Sequence, residues 1–305
     1  MGHGHQHGPA RPPGPASARH RGRLITVIGL LVGLAVVEVT VGVATGSLVL
    51  LSDAGHVAVD VFGLAMTLAA ISAAARPSRK AHRTFGLYRI EVVATLANAV
   101  LLAGVAVWVL VEAVDRIRDP VPVAPLPLIL TAIGALAVNG VGYALLHRGA
   151  SEALSLRGAS TEVLADGIAA LGALAAGLAI WLTGWRYVDP VVASGVALMI
   201  VPRAVGLGRA ALRVLLEAAP PEVDVSRVAA ALSDLPGVLD VHDLHVWTVT
   251  SGMEAATAHL TVTAEAEVGA VLARARTVLA GQGVEHATVQ LEPVNAPGCC
   301  HDAHW

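Results

Sequence analysis

Charge is scarce in this chain. Asp, Glu, Lys and Arg make up 14% of its 305 residues, against 55% hydrophobic residues, where a soluble domain carries about a quarter charged residues. That shortage excludes an ordinary soluble enzyme and points to an integral membrane protein with a soluble portion. Cysteine is scarcer still: only Cys299 and Cys300, adjacent and near the C-terminus, so no disulfide framework holds the fold. Aromatic residues amount to 3%, which leaves few interfacial anchors to mark where membrane helices end. Neither sign of charge dominates. The formal net charge is −3 with His neutral, and the basic residues are spread along the chain, which excludes nucleic acid as a partner. Histidine, by contrast, is plentiful, at 13.

Six apolar segments are expected to cross the bilayer: roughly Leu24–Thr45, Leu48–Ala75, Ile90–Val114, Val123–Leu146, Ala159–Thr183 and Tyr187–Val205. Each is close to the ~20 residues that span ~30 Å of hydrocarbon. Residues 1–23 place His3, His5, His7 and His20 among Gly, Pro and Arg, with no apolar run suited to a signal peptide. They read as a disordered tail. Lys and Arg collect on one side of the six spans: Arg11, Arg19, Arg21 and Arg23 before the first, Arg76, Arg79, Lys80, Arg83 and Arg89 in the second connection, Arg148 and Arg157 around the fourth, and Arg203, Arg209 and Arg213 at the end of the sixth. The other side has Arg116 and Arg118, offset by Asp115 and Asp119, and Arg186. The bias predicts a multi-pass protein of the cell membrane with both termini cytoplasmic.

After Arg213 the pattern shortens. Pro220–Pro221 reads as a linker, Val225–Leu235 as a helix, Val238–Thr250 and Glu254–Thr263 as strands joined at Ser251–Gly252, Glu265–Gly281 as a helix and His286–Glu292 as a last strand. The fold class expected is therefore an α-helical membrane protein with a C-terminal cytoplasmic α+β domain ordered αββαβ. The domains are a His-containing tail (1–23), a six-helix transmembrane domain (24–208), a cytoplasmic α/β domain for regulation and dimerisation (209–295) and a Cys/His tail (296–305).

Two pairs of ionisable residues lie inside the apolar segments. His56 and Asp60 are four residues apart, as are Glu162 and Asp166, so on a helix each pair projects from one face a turn apart. A charge at bilayer depth costs several kcal/mol unless paired, coordinated or wet, which makes such groups functional by default. One imidazole and three carboxylates from two facing helices can surround a divalent cation, whose charge offsets the burial of the anions. Ligands shed protons to bind metal and regain them on release, so metal-for-proton exchange is the mechanism expected. Asp53 reads as structural, and Glu38, Asn98 and Asn139 as interhelical hydrogen-bonding residues.

The run Gly46–Asp60 (GSLVLLSDAGHVAVD), the string Arg83–Glu91 (RTFGLYRIE), Asp189–Pro190 and Val241–Trp247 (VHDLHVW) together resemble the cation diffusion facilitator family over about residues 24–292, and most nearly its zinc, cadmium and cobalt exporters. The resemblance implies a homodimeric antiporter that expels a divalent cation, most naturally Zn2+, in exchange for protons. Its transport site maps onto His56, Asp60, Glu162 and Asp166. Glu162 stands where zinc-type members usually have His; a carboxylate is a harder ligand, which moves the site towards Mn2+ while still suiting Zn2+ or Co2+; Cd2+ is a further cargo implied by the resemblance. The family also implies extra metal in the cytoplasmic domain at His242, His259, His286 and Glu292, with His245 a weaker candidate. In the tails, His3, His5, His7, Cys299, Cys300 and His301 have a composition suited to loose metal capture. Two rivals from other classes, an intramembrane metalloenzyme and a membrane metal sensor, are the alternatives. No His-Glu-x-x-His motif supports the first.

Overall fold

The computed structural model describes residues 15–74, 89–147, 154–250 and 252–294. Six long helices come first: α1 (Pro15–Thr45), α2 (Leu48–Ala74), α3 (Arg89–Arg118), α4 (Pro125–His147), α5 (Leu154–Thr183) and α6 (Val188–Leu215). Five of them meet the length and apolarity needed to cross a membrane. The other, α2, has 27 residues, about 40 Å at the rise of an α-helix. The chain is therefore a multi-pass helical membrane protein. Val100, Val107, Leu130, Trp181 and Leu198 are among the large apolar side chains its helices expose, as a lipid-facing surface requires.

Three helix ends depart from the expected edges. α1 begins at Pro15, so the segment 1–23 expected as a disordered tail is helical from there; polar turns add cheaply to a helix already nucleated by its apolar span. α5 begins at Leu154, five residues before Ala159, which carries Arg157 in its first turn and leaves the 162/166 pair further inside. α6 runs on to Leu215, past the expected end at Val205, and so takes Arg203 into the helix interior.

The helices meet through small residues, as membrane helices without a hydrophobic drive between them must. Ala173, Ala176, Ala193, Ala197 and Ala204 sit in one core with Leu48, Leu102 and Leu128. A Cβ placed on Gly177 of α5 would lie 2.7 Å from Ile129 Cγ1 of α4, so only glycine permits that approach. At Gly55, next to His56, the same atom would lie 2.9 Å from Val105 of α3.

The soluble elements are α7 (Val225–Ser233), β1 (Val238–Thr250), β2 (Met253–Val262), α8 (Val268–Gly281) and β3 (His286–Pro293). Their order is the αββαβ expected. β1 pairs antiparallel with β2 and β3 lies parallel to β2, the arrangement that a helical crossover through α8 allows. Asp224 and Glu267 cap the two helices, accepting from Arg227 N at 3.1 Å and Ala270 N at 3.0 Å. Val246, Ala256, Ala258, Leu260 and Val262 share one core with Val228, Leu232, Val271, Ala275 and Leu279 of the helices. The compact units divide at Gly208/Arg209, with the first turn of α3 grouped with the second unit.

Candidate functional site

The helix that carries His56 and Asp60 is fixed at its N-terminus by a residue from far along the chain. Asp189, in the first turn of α6, accepts from Ser47 Oγ at 2.7 Å, Leu48 N at 2.7 Å and Val49 N at 3.4 Å. It thereby satisfies donors that the first turn of α2 leaves open and places a carboxylate at the positive end of the helix. Arg116 lies 3.7 Å from the same carboxylate and also donates to the Gly46 carbonyl. The Asp-Pro motif is thus an anchor for α2.

Two turns further, His56 and Asp60 are buried, 8% and 3% exposed. His56 Nε2 lies 3.5 Å from Asp60 Oδ2 and 4.0 Å from Asp166 Oδ1 of α5. One donor atom from each of the three lies within 4.8 Å of the others. Tetrahedral zinc with bonds of ~2.1 Å needs its donors about 3.4 Å apart, so closing by about an ångström suffices to hold an ion. Glu162 is on α5 one turn before Asp166; its side chain lies outside the described residues.

A fourth group enters this cluster that the sequence pattern places elsewhere. Arg203 of α6 donates to Asp60 from both ends of its guanidinium, Nη2 to Oδ1 at 2.9 Å and Nη1 to Oδ2 at 3.2 Å, and Nη1 lies 3.2 Å from His56 Nε2. In the sequence it counts as one more basic residue marking the cytoplasmic side. The signal for its real place is the helical apolar pattern that continues beyond it. Of the other polar residues, Glu38 on α1 and Asp53 on α2 are buried. Both polar atoms of Asn139 have no hydrogen-bond partner among the described residues, so the interhelical bond expected of it is not formed there.

The soluble domain holds a second cluster. His242 and His259 stand directly opposite on β1 and β2, their rings edge to face with centroids 5.5 Å apart. Glu292 of β3 reaches both, Oε2 to His242 Nε2 at 3.3 Å and Oε1 to His259 Nδ1 at 3.0 Å. Asp240 orients His242 through Nδ1 at 3.2 Å, the kind of outer partner that metal-ligating imidazoles use. Donors of His242, His259 and Glu292 lie within 4.8 Å of one another.

His286 is not brought into this cluster. It opens β3 opposite Ala255 and is exposed, six residues and so about 20 Å of strand from Glu292. His245 pairs with Thr257 and is also exposed. A bulge between His242 and His245, with Asp243 at φ 49°, turns His245 onto the same sheet face as His242, the face away from α7 and α8. His3, His5, His7, Cys299, Cys300 and His301 lie outside the described residues.

Comparison with known proteins adds the following. Residues 24–216 match the family described as cation efflux transmembrane domain, and residues 220–294 match that described as cation efflux protein, cytoplasmic domain. The metal cation efflux system protein CzcD of Cupriavidus metallidurans is 38% identical over 262 residues, 84% of this chain and 82% of that protein. The zinc transporter ZitB of Escherichia coli is 34% identical over 304 residues, 98% of this chain and 96% of its own. The cadmium, cobalt and zinc/H(+)-K(+) antiporter of Bacillus velezensis is 31% identical over 297 residues, 96% and 92% of the two chains. Among solved structures, the metal-bound C-terminal domain of the CzcD transporter is 33% identical, covering 23% of this chain and 99% of that one, with a TM-score of 0.22.

Proposed function

The chain belongs to the cation diffusion facilitator family of cation efflux proteins, and from that membership we propose that it exports a divalent metal cation from the cytoplasm in exchange for protons. Members of this family are transporters, so the chain is not an enzyme. The observation that carries the reading is the buried convergence of His56, Asp60 and Asp166. Glu162 supplies the fourth donor from the turn before Asp166.

The cargo ion binds when these groups have lost their protons, and protons returning to the same groups release it on the far side. Zn2+ is the main substrate, as in the relatives named for zinc; Cd2+ and Co2+ are alternative cargo, and Mn2+ is carried to the extent that Glu162 offers oxygen where nitrogen would otherwise stand. The transporter works as a homodimer in the cell membrane with both termini cytoplasmic, residues 24–208 forming the transport domain. Residues 209–295 pair the protomers and hold regulatory metal between His242, His259 and Glu292, so that cytosolic metal shifts the population towards the transporting state.

Uptake by reconstituted vesicles tests this. With a proton gradient imposed, the native chain accumulates Zn2+ and Cd2+ against their gradients. Accumulation without need of Asp60 or Asp166, or none at all with folded protein, contradicts it.

A further inference from the structure

The donor cluster already contains a cation that belongs to the chain. We propose that Arg203 is a tethered counter-cation of the metal path, occupying the cluster when no metal is bound and swinging out when one binds. This rests on the reading of His56, Asp60 and Asp166 as the transport site.

Three observations carry it. Arg203 forks onto the Asp60 carboxylate at 2.9 and 3.2 Å, and the same Nη1 stands 3.2 Å from His56 Nε2. That nitrogen faces two atoms that a metal ion would bond, themselves 3.5 Å apart. An ion held at ~2.1 Å from both on that side would lie about 1.5 Å from the nitrogen, and one on the opposite side would face a full positive charge about 4 Å away. Ion and guanidinium therefore exclude one another.

Arg203 also has a way out. Its side chain is 26% exposed where Asp60 is 2% exposed, and a long arginine stem lets the charged head leave the cluster while its base stays in place. The preceding residue, Pro202, sits inside α6 and has no N–H to give the carbonyl four residues back, so this turn of the helix lacks one rung of its ladder. The residue that has to move directly follows that missing rung.

The consequence is a divided effect on binding and turnover. A guanidinium in the site nine-tenths of the time lowers apparent metal affinity about tenfold. On the release side the same group helps to expel the ion by reclaiming Asp60, which leaves His56, Asp166 and Glu162 to take up the returning protons. Unlike a proton, it stays in the protein throughout the cycle.

Cd2+ binding to the purified full chain, read by titration calorimetry, tests the idea in the native protein, Arg203→Gln, Arg203→Lys and Asp60→Asn. Arg203→Gln is expected to bind Cd2+ about tenfold more tightly and, in vesicles, to show a lower KM with a lower kcat; Arg203→Lys, which keeps the charge without the fork, falls between. An arginine that only braced the helices would instead lose binding and stability together. If Arg203→Gln binds no more tightly while Asp60→Asn abolishes that same binding, the counter-cation is wrong and the site stands. If Asp60→Asn leaves binding intact, the site is misassigned and the inference falls with it. Phenylglyoxal labelling of the native chain, located by mass spectrometry, needs no variant to fold. Labelling of Arg203 rises on saturation with Cd2+, and an unchanged rate overturns the proposal.

Discussion

Asp60→Asn separates what the carboxylate does for the fold from what it does for transport. Two charged hydrogen bonds from Arg203 end on it, at 2.9 and 3.2 Å, with His56 3.5 Å away. Removing one partner of a buried ion pair costs about 3–5 kcal/mol, because the other charge is left uncompensated. Arg203 is 26% exposed and its long stem lets the charge turn away from the altered site, which brings the expected loss down to about 2 kcal/mol. For a helical unit of this size that is a fall in apparent Tm of about 4–8 °C, measured on metal-free protein in detergent at one scan rate. Asp60→Asn combined with Arg203→Gln removes both charges and recovers most of the loss. Metal uptake in vesicles fails in the single and the double variant alike. Normal uptake by Asp60→Asn, or a double variant no more stable than the single, refutes the reasoning.

Glu162→His replaces an oxygen donor by nitrogen and is expected to raise the preference for Zn2+ and Cd2+ over Mn2+ in a vesicle uptake panel, by severalfold; an unchanged preference removes Glu162 from the site. His259→Ala in the full chain deletes one of three donors in the soluble cluster and is expected to lose the zinc bound outside the membrane, read as zinc per protomer after dialysis. Gly177→Val pushes side-chain atoms into Ile129, 2.7 Å from the position of a Cβ, and is expected to destabilise the α4–α5 contact by about 1–3 kcal/mol, seen as a lower apparent Tm with the metal affinity of the surviving folded fraction unchanged.

The parts of this architecture that are legible in the sequence are those set by period. A four-residue spacing in an apolar run is enough to put His56 a turn from Asp60 and Glu162 a turn from Asp166 on their helices. The alternation of Val238–Thr250 between a Pro-Gly stop and a Ser-Gly turn delimits β1 as observed. Long-range pairing is not legible in the same way. Asp189 holds the start of α2 across 142 residues, and Arg203 meets Asp60 across 143; nothing local tells which distant residue either one meets. Register is the other blind spot. His242 and His245 are three apart and would face opposite ways on a regular strand, and only the bulge at Asp243 returns them to one face. His286 shares that face but lies at the wrong end of β3.

The claim that metal and protons compete for one set of donors is tested most directly by recording both fluxes in the same vesicles, a metal-sensitive and a pH-sensitive dye enclosed together. The expectation is that inward metal drives protons the other way in fixed ratio, that KM for metal rises as pH falls on the loading side, by up to about tenfold per pH unit for each proton displaced, and that Asp166→Asn stops both fluxes at once. Metal accumulating with no proton movement, or both fluxes continuing in Asp166→Asn, contradicts it.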